Sequence, residues 1–159
     1  MIRERFDQAL PIIPSFPNWN KSFVSGLESP LFVAEHRVAL EPLELISKVT
    51  FKDAAEGPPG HVHGGASAAL IDEVMGILVW NQNMPCVTKE LKVKFLKPLP
   101  MHAEVFLITK ITGTEKKTVE VHTIIYTHEK TPCVEGNGVF HRMSKELFEK
   151  FLTHSPKRK

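Results

Sequence analysis

The sequence has few cysteines and no strong excess of charge of either sign. Its 159 residues include only two cysteines, Cys86 and Cys133, which are too few for a disulfide framework and lack the CxxC spacing of a zinc site. The formal net charge is only +2, so the one-sided basic field typical of a nucleic-acid-binding protein is missing. We therefore expect two reduced core thiols and no nucleic-acid partner.

The sequence also has little that would place it in a membrane or a secretory route. The first ten residues carry Arg3, Glu4, Arg5 and Asp7, where a signal peptide needs an unbroken apolar stretch. Residues 61–71 are uncharged except for histidine, but they are too few to span a bilayer. We expect a cytoplasmic protein without a membrane partner.

What the chain does have is enough apolar sequence for one compact domain. With 159 residues and 42% hydrophobic content, it suits one core rather than two. Hydrophobic periodicity and the positions of Pro and Gly predict a short helix over 1–10, a hairpin over 30–51, a long helix over 66–79, strands over 86–97, 102–113, 117–128 and 132–143, and a last helix over 144–152. This order predicts an α+β fold in which an antiparallel sheet wraps around one central helix.

One face of the predicted central helix combines a carboxylate with small side chains. Steps of three and four residues bring Asp72 close to Gly65, Ala68, Ala69 and Gly76. A partly buried acid with free space around it is a candidate for catalysis. A buried Asp that accepts hydrogen bonds from a loop is the structural alternative, and the composition of the face does not separate the two.

The helix is preceded by two glycines. The backbone N–H groups of Gly64 and Gly65 lie at the positive end of the helix dipole, where they can receive a developing oxyanion, although a tight turn is the more common reason for such a pair. Asp72 lies roughly 10 Å along the axis from Gly65, too far for both to act on one carbonyl carbon. If the two cooperate, they come from different subunits, which predicts a homodimer.

A motif of sixteen residues carries a family resemblance. The run from Gly57 to Asp72, GPPGHVHGGASAALID, resembles the signature of PaaI-like hotdog-fold acyl-CoA thioesterases, in which a His-Gly-Gly turn precedes the central helix. His63 and Asp72 have the expected spacing, and Thr88 falls where the family has a hydroxyl residue near the start of the next strand. The resemblance covers about residues 43–143 and implies a hotdog fold that binds acyl-CoA.

The resemblance also implies roles for individual residues. The Gly64 N–H would polarise the thioester carbonyl, Asp72 of the partner subunit would attack it or activate water, and Thr88 would hold the water or the carboxylate. His63 would support the turn by hydrogen bonding. Some relatives carry Asn at the position of Gly57, so its water-holding role would pass to Thr88 or be absent, and the choice between nucleophile and general base stays open.

Further residues are candidates for binding the substrate. Basic side chains would meet the phosphates of CoA, although lysines on a strand are also typical of its solvated face. The predicted substrate-binding residues are His61, His63, Gly65, Lys94, Lys97 and Arg142. His61 and His63 have no third ligand at a suitable spacing, so we expect no metal, and we expect no cofactor because CoA is part of the substrate.

Two other functions remain as alternatives. A hotdog-fold hydratase or dehydratase needs a catalytic His paired with an acid in a different motif, which the sequence lacks. A non-catalytic acyl-CoA-binding module remains the main alternative to hydrolysis. We expect an N-terminal extension over 1–30, the hotdog domain over 31–152, a disordered basic tail over 153–159, and a homodimer or a dimer of dimers.

Overall fold

The computed structural model describes residues 1–24, 26–128 and 130–153. In chain order the elements are α1 (Ile2–Gln8), β1 (Leu10–Pro11), β2 (Phe32–Leu40), β3 (Leu43–Phe51), α2 (Gly64–Asn81), β4 (Cys86–Phe95), β5 (Glu104–Thr114), β6 (Thr118–Thr127), β7 (Pro132–Arg142) and α3 (Lys145–Thr153). The predicted hairpin, central helix, four long strands and last helix are confirmed to within a few residues. Residues 154–159 of the predicted basic tail lie outside the described residues.

All seven strands form one antiparallel sheet around α2. Their order in the sheet is β1-β2-β3-β5-β6-β7-β4, so the strand that follows the helix in sequence lies at the far edge. The alternate residues of β6 and β7 that face the helix are buried, and their neighbours on the outer face are more exposed. The expectation of an antiparallel sheet wrapped around one central helix is confirmed.

The central helix α2 is apolar on most of its circumference, and the sheet therefore covers it on several sides. Its buried residues include Leu70, Val74 and Leu78. A Cβ atom added to Gly136 of β7 would lie 2.5 Å from Cγ2 of Ile71, so glycine at this position lets the helix pack close to the sheet. In the described ranges, no helix is long and apolar enough to cross a bilayer.

The segment before β2 packs against the fold. Phe6 of α1 meets Phe106 at 6.0 Å between ring centroids and covers part of the outer face of the sheet. At the C-terminal end of α2, Trp80 makes edge contacts with Phe16 of the N-terminal segment and Phe148 of α3. The N-terminal and C-terminal segments therefore meet at the same end of the central helix.

A buried histidine joins β2 to β3. His36 is only 9% exposed, and its Nδ1 lies 2.8 Å from Oγ of Ser47, which is fully buried. Burial lowers the pKa of His36 to about 4 because the apolar surroundings disfavour the charged imidazolium. The neutral ring is therefore the form that the fold accommodates.

The free energy of unfolding should depend on pH through His36. The unfolded chain takes up a proton near pH 6.5 but the folded chain only near pH 4, so this contribution is complete above pH 6.5 and is lost as the pH falls towards 4. The expected loss is roughly 3 kcal/mol, measured by urea unfolding at pH 7.5, 6, 5 and 4. In His36→Gln, which does not titrate, the pH dependence should flatten, and equal slopes in the two proteins would contradict the assignment.

Candidate active site

The first turn of α2 leaves one backbone donor free. His63 is the N-cap, and its Nδ1 accepts a hydrogen bond from the Gly65 N–H at 2.9 Å. The N–H groups of Ala66 and Ser67 both donate to the His63 carbonyl oxygen. Among the described residues the Gly64 N–H has no acceptor. It lies at the positive end of the dipole of an 18-residue helix, so it is a donor available to a ligand.

The loop before the helix explains the glycine that departs from the family pattern. The Gly57 N–H donates to the His61 carbonyl oxygen at 2.9 Å, which folds the loop back on itself. A Cβ atom on Gly57 would lie only 2.8 Å from Cα of His63. Asn at this position would therefore displace the residue that caps the helix.

A cavity opens beside the free donor. Its volume is about 430 Å³ and most of its walls are apolar. The lining residues are Pro58, His61, Val62, Gly64, Ser67, Phe95, Leu96, Lys97, Pro98, Leu99 and Val134. Phe95 packs close to Gly64, because a Cβ atom on Gly64 would lie 3.2 Å from Cζ of that ring. The volume and the apolar walls suit the acyl part or another apolar part of a ligand.

The second half of the candidate site is a carboxylate held by a hydroxyl group. Thr88 Oγ1 donates to Oδ1 of Asp72 at 2.8 Å, and Asp72 is partly buried as expected. A β-bulge between Thr88 and Glu90 places one extra residue on β4 that has no partner on β7. Such a bulge bends the strand locally, next to Thr88. The partly exposed small residues Ala68, Ala69 and Gly76 leave space beside the carboxylate.

Two neighbours of Asp72 do not offer competing chemistry. Cys86 is 4% exposed, and burial, with a smaller contribution from the Asp72 carboxylate, raises the pKa of its thiol to about 12. A thiol that stays protonated at neutral pH is a poor nucleophile. Glu73 points to the N-terminal segment, where Ser22 Oγ donates to it at 3.2 Å. Asp72 is thus the carboxylate of α2 that lies beside Thr88, whereas Glu73 is turned to the N-terminal segment.

The two halves of the candidate site lie at opposite ends of one strand. The eight steps from Gly64 to Asp72 correspond to about 12 Å along the helix. Strand β4 runs antiparallel to α2, with Thr88 beside Asp72 and Phe95 beside Gly64. In the described part of the chain, neither Asp72 nor Thr88 lines the cavity beside Gly64. One chain therefore does not bring the free donor and the carboxylate together.

The predicted binding residues fall into three places. His61 and Lys97 line the cavity beside Gly64. Lys94 lies on the outer face of the sheet, with Nζ 3.8 Å from the carboxylate of Glu135. Arg142 lies at the Thr88 end of β4, in a separate cleft. Their contacts with a substrate stay predictions, as do those of His63 and Gly65. Within the described ranges, no three His, Cys, Asp or Glu side chains are grouped closely enough to hold a metal ion.

Solved structures with the same fold are thioesterases by name. A hypothetical thioesterase of Streptococcus pneumoniae, solved with coenzyme A, matches with a TM-score of 0.61 and 15% identity, covering 64% of this chain and 79% of that chain. The PaaI protein from the phenylacetic acid degradation operon of E. coli matches with a TM-score of 0.60 and 17% identity, covering 64% of this chain and 73% of its own. At these identities the likeness shows the fold alone, which is a hotdog fold.

Sequence comparison shows a similarity to one family over the middle of the chain. The Thioesterase superfamily model matches residues 59–134, which include the loop, α2 and β4. The rat acyl-coenzyme A thioesterase THEM4 is 31% identical over 86 residues, which are 54% of this chain and 37% of that protein. Over these residues the chain is similar to the thioesterase superfamily, and the predicted resemblance is confirmed at that level. The matched part is less than half the length of the THEM4 relative.

Proposed function

We propose that this protein hydrolyses an acyl-CoA thioester to a carboxylic acid and CoA, with each active site built from two copies of the chain. The observation that carries the proposal is the free Gly64 N–H beside an apolar cavity, on the same helix as the Asp72 carboxylate held by Thr88. An N–H donor can stabilise the oxyanion of acyl transfer, and a carboxylate can act as its nucleophile or general base.

The free edge of the sheet supplies the surface on which two copies would meet. Strand β4 is the last strand of the sheet order, and among the described residues its outer edge pairs with no other strand. Its helix-facing side carries Leu91 and Val93, which are half-buried, and Phe95, which is 59% exposed. A long unprotected edge strand with apolar side chains favours pairing with another chain.

Pairing of β4 with its own copy would complete the site. A two-fold axis near residues 91 and 92 would pair β4 antiparallel with itself and set the Thr88 end of one strand beside the Phe95 end of the other. Asp72 of one copy would then lie close to the Gly64 N–H of the other. This arrangement removes the separation of about 12 Å that prevents one chain from acting alone.

The chemistry divides between the two subunits. The thioester carbonyl oxygen would accept a hydrogen bond from the Gly64 N–H, which stabilises the negative charge that develops on the oxygen. Asp72 of the other subunit would attack the carbonyl carbon or remove a proton from a water molecule that does so, with Thr88 orienting its carboxylate. The carbon–sulfur bond breaks, CoA leaves as the thiolate, and water supplies the hydroxyl group of the acid.

The first test is thioester hydrolysis over a panel of acyl-CoAs, from short to long and from aliphatic to aromatic, followed by release of free thiol. Asp72→Asn keeps the shape of the side chain but removes its basicity, so kcat should fall about 10²- to 10⁴-fold. Glu73→Gln is the matched control, because it neutralises the adjacent carboxylate, and it should stay within about threefold of wild type.

A folded wild-type protein that hydrolyses no member of the panel would contradict the proposal. If acyl-CoA nevertheless raises its melting temperature, the protein is a non-catalytic binding module and Asp72 is a structural acid. An equal fall of kcat in Asp72→Asn and Glu73→Gln would contradict a specific catalytic role for Asp72.

A second test isolates the backbone donor. Proline at position 64 removes the N–H, and the first turn of a helix tolerates proline because that group has no partner within the helix. Gly64→Pro should lower kcat about 10²- to 10³-fold. Gly64→Ala adds the same Cβ near Phe95 but keeps the N–H, so it controls for the steric change. The oxyanion role is wrong if alanine lowers kcat as much as proline does, with both variants folded by circular dichroism.

A further inference from the structure

A second cleft lies at the opposite end of β4 from the cavity beside Gly64. It has a volume of about 380 Å³ and is formed by the β5–β6 turn, the end of β7 and the start of α3. Its lining residues are Lys116, Lys117, His141, Arg142, Met143, Ser144 and Leu147. We call it the basic cleft. Three cationic side chains and a histidine thus share one concave surface.

The positive charge of the basic cleft is not neutralised by the fold. No carboxylate lines it, and in the described ranges none of its three cations takes part in an ion pair. Some basic residues elsewhere on the sheet surface are paired with carboxylates, namely Lys48 with Glu35 and Lys94 with Glu135. Grouped cations without a carboxylate repel one another, and a bound anion would relieve that repulsion.

Two apolar side chains also line the basic cleft. They are Met143 and Leu147, and Leu147 is 47% exposed. Ser144 Oγ accepts a hydrogen bond from the Leu147 N–H at 3.2 Å, which caps the start of α3 at the cleft. A lining that combines cations with apolar side chains suits a phosphorylated nucleoside, whose phosphates and flat base need different contacts.

The position of the basic cleft connects it to the carboxylate of the candidate active site. Arg142 pairs with Cys86 in the β4–β7 ladder, and Thr88, which binds Asp72, lies two residues further along β4. Two strand residues span about 7 Å. The N–H of Arg142 donates to the Lys117 carbonyl oxygen at 2.9 Å, so the lysine turn is tied to the same place.

We propose that the basic cleft binds the 3′-phosphorylated adenosine diphosphate part of CoA, with Lys116, Lys117 and Arg142 on the phosphates and Met143 and Leu147 on the base. This inference rests on the proposed function, because it assigns the nucleotide end of the same substrate. The pantetheine arm would run along the start of β4 towards Asp72. The start of α3, outside the residues that the family model matches, becomes part of the substrate site.

The test compares two substrates with the same acyl group, one on CoA and one on N-acetylcysteamine, which lacks the nucleotide. Lys117→Ala should raise KM for the acyl-CoA about three- to tenfold, and Lys117→Glu should raise it further, with kcat nearly unchanged. KM for the N-acetylcysteamine thioester should not move. Lys110→Ala and Lys110→Glu are the matched controls, because Lys110 is an exposed lysine on β5 outside the cleft, and they should leave both KM values unchanged.

Calorimetric binding of CoA, 3′-dephospho-CoA and inorganic phosphate separates this inference from catalysis. Wild type should bind CoA more tightly than 3′-dephospho-CoA and far more tightly than phosphate, and Lys117→Glu should remove most of the difference. The inference is overturned if CoA binds Lys117→Glu and Lys110→Glu equally well, or if inorganic phosphate competes as well as CoA. Hydrolysis of the N-acetylcysteamine thioester without binding of CoA would contradict the role of the basic cleft but leave the thioesterase function standing. Binding of CoA in the cleft without hydrolysis of any thioester would support the cleft and contradict the thioesterase function.

Discussion

The rise of the α-helix, about 1.5 Å per residue, is the constraint on which the account of this protein depends. It separates the free Gly64 N–H from the Asp72 carboxylate by about 12 Å on α2, which is packed against the sheet around it. The proposed donor thus lies at the start of the helix and the proposed catalytic carboxylate in its middle. Strand β4 runs antiparallel to α2, and among the described residues its outer edge pairs with no other strand. In the proposed dimer, pairing of this edge with a second copy of the chain would bring the two groups together.

Small residues and one histidine prepare the donor. His63 accepts hydrogen bonds from the N–H groups of the three residues that follow Gly64, one through its ring nitrogen and two through its carbonyl oxygen. Of the first-turn N–H groups, only that of Gly64 has no acceptor in the described part of the chain. Gly57 lets the loop pack against His63, and Gly136 lets the helix lie close to β7. The basic cleft and the cavity beside Gly64 then lie at the two ends of β4, as a long substrate shared between subunits would need.

Much of this arrangement could be predicted from local sequence signals. The alternation of apolar residues predicted the long strands, and the glycine-rich loop marked the start of α2. The candidate site residues Gly64, Asp72 and Thr88 were predicted from the family resemblance of the run from Gly57 to Asp72. Features that depend on tertiary pairing were not predictable. The bulge beside Thr88, the hydrogen bond of buried His36 to Ser47 and the contact of Phe16 with Trp80 all join residues by packing that leaves no periodic pattern. The basic cleft was missed because only the fold reveals that Lys116 and Lys117 lie beside Arg142.

The most direct test of the composite site is the activity of mixed dimers made from Asp72→Asn chains and Gly64→Pro chains. Each parent should be nearly inactive. When equal amounts of the two chains are refolded together, half of the dimers should be mixed. One of the two sites in each mixed dimer should be intact, so activity should return to about one quarter of wild type. If differently tagged chains form mixed dimers in that proportion and no activity returns, the donor and the carboxylate do not come from different subunits, and the central claim is wrong.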